Sequence, residues 1–267
     1  MSLRSLISVL ISLHALPVLA QILALPNAHS HNDYKHENPF YDAINHGFLN
    51  IEVDVFPSTN DLVVAHSRSE VDPALTLSSL YLEPLFDIVK SHNGWMFEED
   101  QSLVLLLDFK ASPKESLRIL RDKIKPYREY LSSYSFTSGF QKRGVTIVVS
   151  GERPIEKIVS LGQRWVFLDG RLSDPSNILK PEISPIISCR WQNLFSWNGD
   201  GAFPQIQRAK LQRLVSWAHH KGIKLRFWQT PDQENFWKVL YQENVDLIGT
   251  DNLSKLKKFL ISEMGRW

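Results

Sequence analysis

Short apolar runs alternate with longer amphipathic stretches along most of the chain. Runs over Ile22–Ala28, Asn50–Phe56, Leu103–Phe109, Val145–Val149, Trp165–Asp169, Pro185–Arg190, Ile223–Trp228 and Asp246–Thr250 predict eight strands. Several are continuous in Val, Ile and Leu, the pattern of a parallel sheet covered on both faces. Between them, apolar positions recur at helical spacing. Leu117, Leu120 and Ile124 form one stripe, behind Ser112-Pro113-Lys114-Glu115, which reads as a capping box with proline at the first helical position. Leu211, Leu214, Val215 and Ala218 form another, closed by Gly222. Thr230-Pro231-Asp232-Gln233 opens a third, with Phe236, Val239 and Leu240 facing inward, and Leu253, Leu256, Phe259 and Leu260 mark a fourth. Strand–helix alternation repeated about eight times predicts a single (β/α)8 TIM barrel. Distortion is expected at Tyr134–Gly144 and Arg171–Ser184, where helices are short or missing.

The length of 267 residues suits one such barrel, and a net charge of +1 gives no electrostatic reason to expect nucleic acid. At the N-terminus, Arg4 precedes an uncharged apolar run from Ser5 to Ala20, ending Val18-Leu19-Ala20. This reads as a signal peptide cut after Ala20, leaving residues 21–267 as the barrel domain of a secreted or periplasmic protein. An uncleaved anchor is the alternative, though the run is short and broken by Pro17. Cys189 is the only cysteine, so no disulfide forms within the chain. Asn252-Leu253-Ser254 is a lone glycosylation sequon.

In such barrels chemistry sits at the C-terminal ends of the strands. Polar residues gather there: His29 and His31 on the first strand, Glu52 and Asp54 late in the second, Asp108 and Lys110 on the third, then Ser150, Asp169, Arg190, Trp228 and Asp251. Glu52 and Asp54 are two apart in a strand and share a face. Adjacent carboxylates repel unless a cation lies between them, and an all-oxygen set suits Mg²⁺ or Ca²⁺. His31 before them and His66 after them could supply a base and an acid.

These motifs resemble the phosphatidylinositol-phospholipase-C-like phosphodiesterase superfamily, which includes glycerophosphodiester phosphodiesterases and the sphingomyelinase D type. The matching residues are Ser30-His31-Asn32, Glu52-Val53-Asp54, Ala65-His66 and Leu107-Asp108-Phe109-Lys110. The opening HSHNDY is closest in wording to the altered-inheritance-of-mitochondria family, and the stretch from Gly222 to Asp251 resembles the final repeat of glycerophosphodiesterases. The resemblance implies a divalent cation, Mg²⁺ or Ca²⁺, held by Glu52, Asp54 and Asp108, with Asn32 as a fourth ligand. It implies that His31 and His66 share acid and base duties and that Lys110 neutralises a phosphate oxygen. The substrate would be a small-molecule or lipid phosphodiester, a lipid bringing transient contact with a membrane surface; no obligate protein partner is inferred.

One departure matters. Glycerophosphodiesterases carry His-Arg on the first strand, whereas Ser30 follows His29 here and Asn32 follows His31. Arg68 and Arg190 are the candidates to grip phosphate instead. His29 shares a face with His31 and stands as the alternative first histidine or as a substrate contact. Trp228, Trp191 and Trp197 are either core or the lining of a pocket for a choline-like head group, Trp228 foremost. Asp251 is either part of the mouth or a helix cap. Two rival functions remain: a zinc amidohydrolase using His29, His31 and Asp251, and a barrel that binds a phosphorylated head group without turning it over.

Overall fold

The computed structural model describes residues 22–265; the signal-peptide reading of residues 1–20 lies outside them. Eight parallel strands form the barrel: β1 (Leu25–Ser30), β2 (Phe48–Pro57), β3 (Leu103–Phe109), β4 (Val145–Gly151), β5 (Val166–Gly170), β6 (Ile186–Arg190), β7 (Lys224–Trp228) and β8 (Ile248–Thr250). They pair in sequence order, β8 returns to β1, and a single bridge between Arg226 and Leu247 links β7 to the last strand. The result is a nearly closed (β/α)8 barrel.

Alternation along each strand sorts residues between two cores. Leu103, Leu105, Leu107 and Phe109 of β3 face outward to the helices, with Val145, Ile147 and Val149 of β4 beside them. The lumen holds a smaller apolar layer of Val104, Val148, Phe167, Ile186 and Leu247. Toward the C-terminal ends, the lumen positions turn polar.

The outer layer comprises α1 (Tyr41–Asn45), α2 (Glu83–Ser91), α3 (Pro113–Lys123), α4 (Ile155–Val159), α5 (Gln205–His220), α6 (Glu234–Gln242) and α7 (Leu253–Met264). The predicted stripes are buried, apart from the half-buried Leu214. Gly222 takes φ +70° just past α5, where the Ile223 N–H donates to the Ala218 carbonyl at 3.0 Å. The capping box expected at Ser112 does not form. Ser112 is left-handed and its hydroxyl caps nothing, while Glu115 pairs with Arg118. Asp232 likewise does not open α6, because its carboxylate accepts from Thr250 Oγ1 and the Asp251 N–H.

The two segments expected to distort do so. Ser133–Ser135 and Gly139–Gln141 form a hairpin that pairs with Gln163–Arg164 in a small antiparallel sheet. Among the described residues no α-helix follows β5 before β6; the Arg171–Ser184 connection instead buries Ile178, Leu179 and Ile183. Beyond β6, Trp191 and Trp197 belong to the core rather than to a pocket. The Trp191 ring lies among Phe195, Phe227 and Phe236, and its indole N–H donates to the Trp197 carbonyl at 2.6 Å. Trp228 remains half-buried at the mouth.

Trp191→Ala should therefore cost about 3–5 kcal/mol of folding free energy, and Trp228→Ala under about 1 kcal/mol. Urea denaturation of the two variants checks the difference.

Candidate active site

The first strand begins at Leu25, not at Ile22, so His29 falls inside β1 and His31 just beyond it. The Asn50 amide fixes this end of the sheet, donating to the carbonyls of Pro26 and Ala28 at 2.9 and 3.1 Å. After His31 the chain turns sharply. Asn32 is nearly buried in the left-handed region (φ 47°), and Asp33 below it anchors the turn. Asp33 accepts from Ser30 Oγ at 2.7 Å, the Phe40 N–H at 2.6 Å and Tyr81 Oη at 3.0 Å.

Three carboxylates meet at the mouth. Asp54 and Asp108 are register partners on β2 and β3, and Glu52 sits two residues deeper. Ligand oxygens of Glu52, Asp54 and Asp108 all lie within 4.8 Å of one another. Gly151 makes room for them: at φ +65°, an added Cβ would stand 2.1 Å from Asp108 Oδ1. Burial, with Asp54 and Glu52 nearby, pushes the Asp108 carboxyl up to about 6 despite Lys110. The Lys110 ammonium bridges Asp54 Oδ2 at 3.0 Å and Asp108 Oδ1 at 3.2 Å, and these carboxylates hold its pKa up against desolvation.

Glu52 has two buried partners. His29 Nε2 lies 3.0 Å from Oε2, and the Arg226 guanidinium donates to the same oxygen. Burial works against ionised Glu52, but Arg226 and His29 outweigh it and hold the carboxyl well below the usual range. Desolvation and Arg226 drop the His29 pKa to about 4, so its imidazole is neutral at pH 7. His29, expected as a substrate contact or alternative first histidine, is wholly buried against Glu52.

His31 and His66 share an arrangement. His31 Nδ1 lies 2.7 Å from Asp251 Oδ1, and His66 Nδ1 lies 2.8 Å from Asp54 Oδ2. Tyr34 Oη donates to Asp54 Oδ2 at 2.8 Å and stands 3.2 Å from His66 Nδ1. Neither Nε2 has a protein partner among the described residues, and both rings are substantially exposed. Desolvation opposes the His31 imidazolium, yet the bond to Asp251 raises its pKa. His66 reaches the site through a reversal invisible in the strand count. Leu62–Val64 pairs antiparallel with the end of β2, and the Ala65 N–H donates to the Asp54 carbonyl at 3.2 Å. Asp251 belongs to the mouth, since Asn252 caps α7 through the Lys255 N–H.

A cavity of about 330 Å³ adjoins His31, lined by Arg226, Trp228, Asp232 and Asp251 among others. Arg190 stacks over Trp228 at 5.8 Å, bringing those two expected residues together. Arg68 is exposed, with its guanidinium over the Phe56 ring at 5.6 Å. The zinc arrangement does not form: His29 and His31 turn to different carboxylates, and the metal-capable group found among the described residues is the Glu52–Asp54–Asp108 set. Arg226, Asp33 and Tyr34 were not foreseen. Arg226 carries a cue, a charge alternating with Leu225 and Phe227 inside a strand.

The protein is thus a (β/α)8 barrel with an acidic triad at its C-terminal mouth. Solved structures share the fold. A putative glycerophosphoryl diester phosphodiesterase from Silicibacter pomeroyi superposes with a TM-score of 0.55 at 13% identity, covering 92% of this chain and 95% of that one. An Oleispira antarctica phosphodiesterase in complex with the product sn-glycerol-3-phosphate gives 0.54 at 15% identity, covering 88% and 97%. Residues 18–169 match the AIM6-like phosphodiesterase domain, and the chain belongs to that family. Relatives include the altered inheritance of mitochondria protein 6 homolog of Arthroderma benhamiae, 28% identical over 89% of this chain and 84% of that protein. The altered inheritance of mitochondria protein 6 of Eremothecium gossypii is 29% identical over 88% and 69%.

Removing one partner from a buried ion pair strands the other. Arg226→Met should cost about 3–5 kcal/mol, with much of the loss restored in the Arg226→Met/Glu52→Gln double variant. Urea denaturation of both variants tests this.

Proposed function

We propose that this protein is a cation-assisted phosphodiesterase acting on a phospholipid- or glycerophosphodiester-type substrate. The observation that carries this reading is the pair of histidines flanking the carboxylate triad, each with Nδ1 held by an aspartate and Nε2 open. The donor set fits a hard divalent ion: three carboxylates, all oxygen, with burial and mutual proximity raising the pKa of Asp108. Glu52, Asp54 and Asp108 would hold Mg²⁺ or Ca²⁺, with Asn32 as a further ligand. Bound there, the ion supplies Lewis acidity to a phosphate oxygen.

The chain's own groups do the rest. A carboxylate on Nδ1 fixes the ring and its tautomer, as one on a catalytic imidazole does in hydrolases generally. Nε2 of one histidine takes the proton of the attacking hydroxyl, and Nε2 of the other returns one to the leaving oxygen. Lys110 neutralises charge on the phosphate as a compact cation. Trp228, with Arg190 over its ring, lines the approach from the His31 side, where a head group would rest. The family match and the glycerophosphodiesterase neighbours support phosphodiester chemistry over other barrel reactions. The apolar run from Ser5 to Ala20 supports export of the protein; no described helix is long and apolar enough to cross a membrane.

The test is turnover of bis-p-nitrophenyl phosphate with Mg²⁺ or Ca²⁺, expected to vanish with chelator. His31→Ala and His66→Ala should each lower kcat about 10²- to 10⁴-fold, and Asp251→Asn about 10- to 100-fold, with unchanged circular dichroism. Wild-type activity in either histidine variant would remove the acid–base pair. Binding of phosphate esters without turnover by the wild type would instead establish a head-group-binding barrel.

A further inference from the structure

A second polar cluster occupies the β4–β5 side of the mouth, and the chemistry above leaves it unused. Ser150 and Asp169 lie two residues beyond Val148 and Phe167 of the lumen core, so both point into the barrel. Ser150 Oγ donates to Asp169 Oδ2 at 2.8 Å. Arg171 closes over them: Nη1 donates to Asp169 Oδ2 and Nη2 to Ser150 Oγ, each at 3.2 Å. Its backbone is fixed as well. The Arg171 N–H donates to Asp174 Oδ2 at 2.7 Å, and Arg153 grips Asp174 through two bonds of 2.5 and 3.0 Å.

Neutralising Asp169 does not account for this placement. Asp169 is fully buried, yet the Arg171 side chain is 29% exposed, whereas the structural Arg226 is 3% exposed. Two of the five guanidinium N–H groups are engaged, leaving three uncommitted among the described residues. Ser150 is the register partner of Asp108, so the guanidinium sits one strand from the carboxylate triad. Of the arginines expected to grip phosphate, Arg68 lies over Phe56 and Arg190 over Trp228.

We propose that Arg171 is the residue that grips a non-bridging oxygen of the substrate phosphate, held ready by Ser150, Asp169 and Asp174. A preorganised guanidinium makes charge-assisted, two-pronged bonds to phosphate that a lysine cannot copy. The assignment rests on the phosphodiester reading of the site, but its test does not require turnover.

Isothermal titration calorimetry with sn-glycerol 3-phosphate and with inorganic phosphate, in Mg²⁺, reads it directly. Arg171→Met should weaken both anions about 10- to 100-fold, and Arg171→Lys should fall between. The double variant Asp169→Asn/Arg171→Met leaves no stranded buried carboxylate and should match Arg171→Met, so loss of folding in the single variant cannot mimic loss of the contact. Affinity within twofold of wild type in the double variant overturns the assignment, as does a wild type that binds neither anion. A wild type that binds both through Arg171 yet cleaves no phosphodiester upholds it and removes the catalytic reading instead.

Discussion

Mutual repulsion among Glu52, Asp54 and Asp108 is the constraint around which the mouth is arranged. Three carboxylates within 4.8 Å, in a largely desolvated site, would not stay ionised without nearby cations. Arg226 meets the deepest of them inside the lumen, and Lys110 meets the other two at the rim. Both cations arrive on barrel strands or directly after them, so the parallel register that closes the sheet also sets the charge balance. The apolar layer of Val104, Val148, Phe167, Ile186 and Leu247 seals the lumen below. The carboxylate triad is thus held above it, at the end where loops can reach it.

The same economy orients the histidines. Asp54 serves three neighbours at once: Lys110, Tyr34 and His66 all reach Oδ2. His66 is consequently coupled to the triad, while His31 is tied to Asp251 at the seam where β1 and β8 pair. His29 differs from its neighbour two residues on because β1 continues through it. An imidazole within the strand is buried against Glu52, whereas one past the strand end is half in water. Accessibility, not residue type, separates the structural histidine from the candidate catalytic one.

Features governed by short-range rules were legible in the chain. Period-two spacing put Glu52 with Asp54 and Asp108 with Lys110 at strand ends, and helical spacing located the stripes of α3, α5, α6 and α7. The absence of periodicity over Arg171–Ser184 correctly marked a missing helix. What escaped depended on partners distant in sequence. Arg226 lies 174 residues from Glu52, so its role exists only once the barrel closes. Local hydrogen bonding also overrode local patterns. The apolar Ile22-Leu23 suggested an earlier start for β1, but the first anchoring bond runs from the Leu25 N–H to the Gly47 carbonyl at 2.7 Å. Ser112 carried the letters of a capping box without the backbone geometry to use them.

The charge balance at the mouth bears on the proposed phosphodiester substrate. Three inner carboxylates against Arg226 and Lys110 leave one negative charge facing an incoming phosphodiester, itself a monoanion. Approach would then be repulsive in a site where desolvation strengthens every interaction. A divalent ion among the carboxylates would reverse the sign to one positive charge, and a bound phosphodiester would bring the sum to zero. On this account the cation is needed to admit the substrate as well as to polarise it. Lys110, which spans Asp54 and Asp108 here, would then be free to turn from the carboxylates to the phosphate, because the ion would take over the neutralisation it now performs.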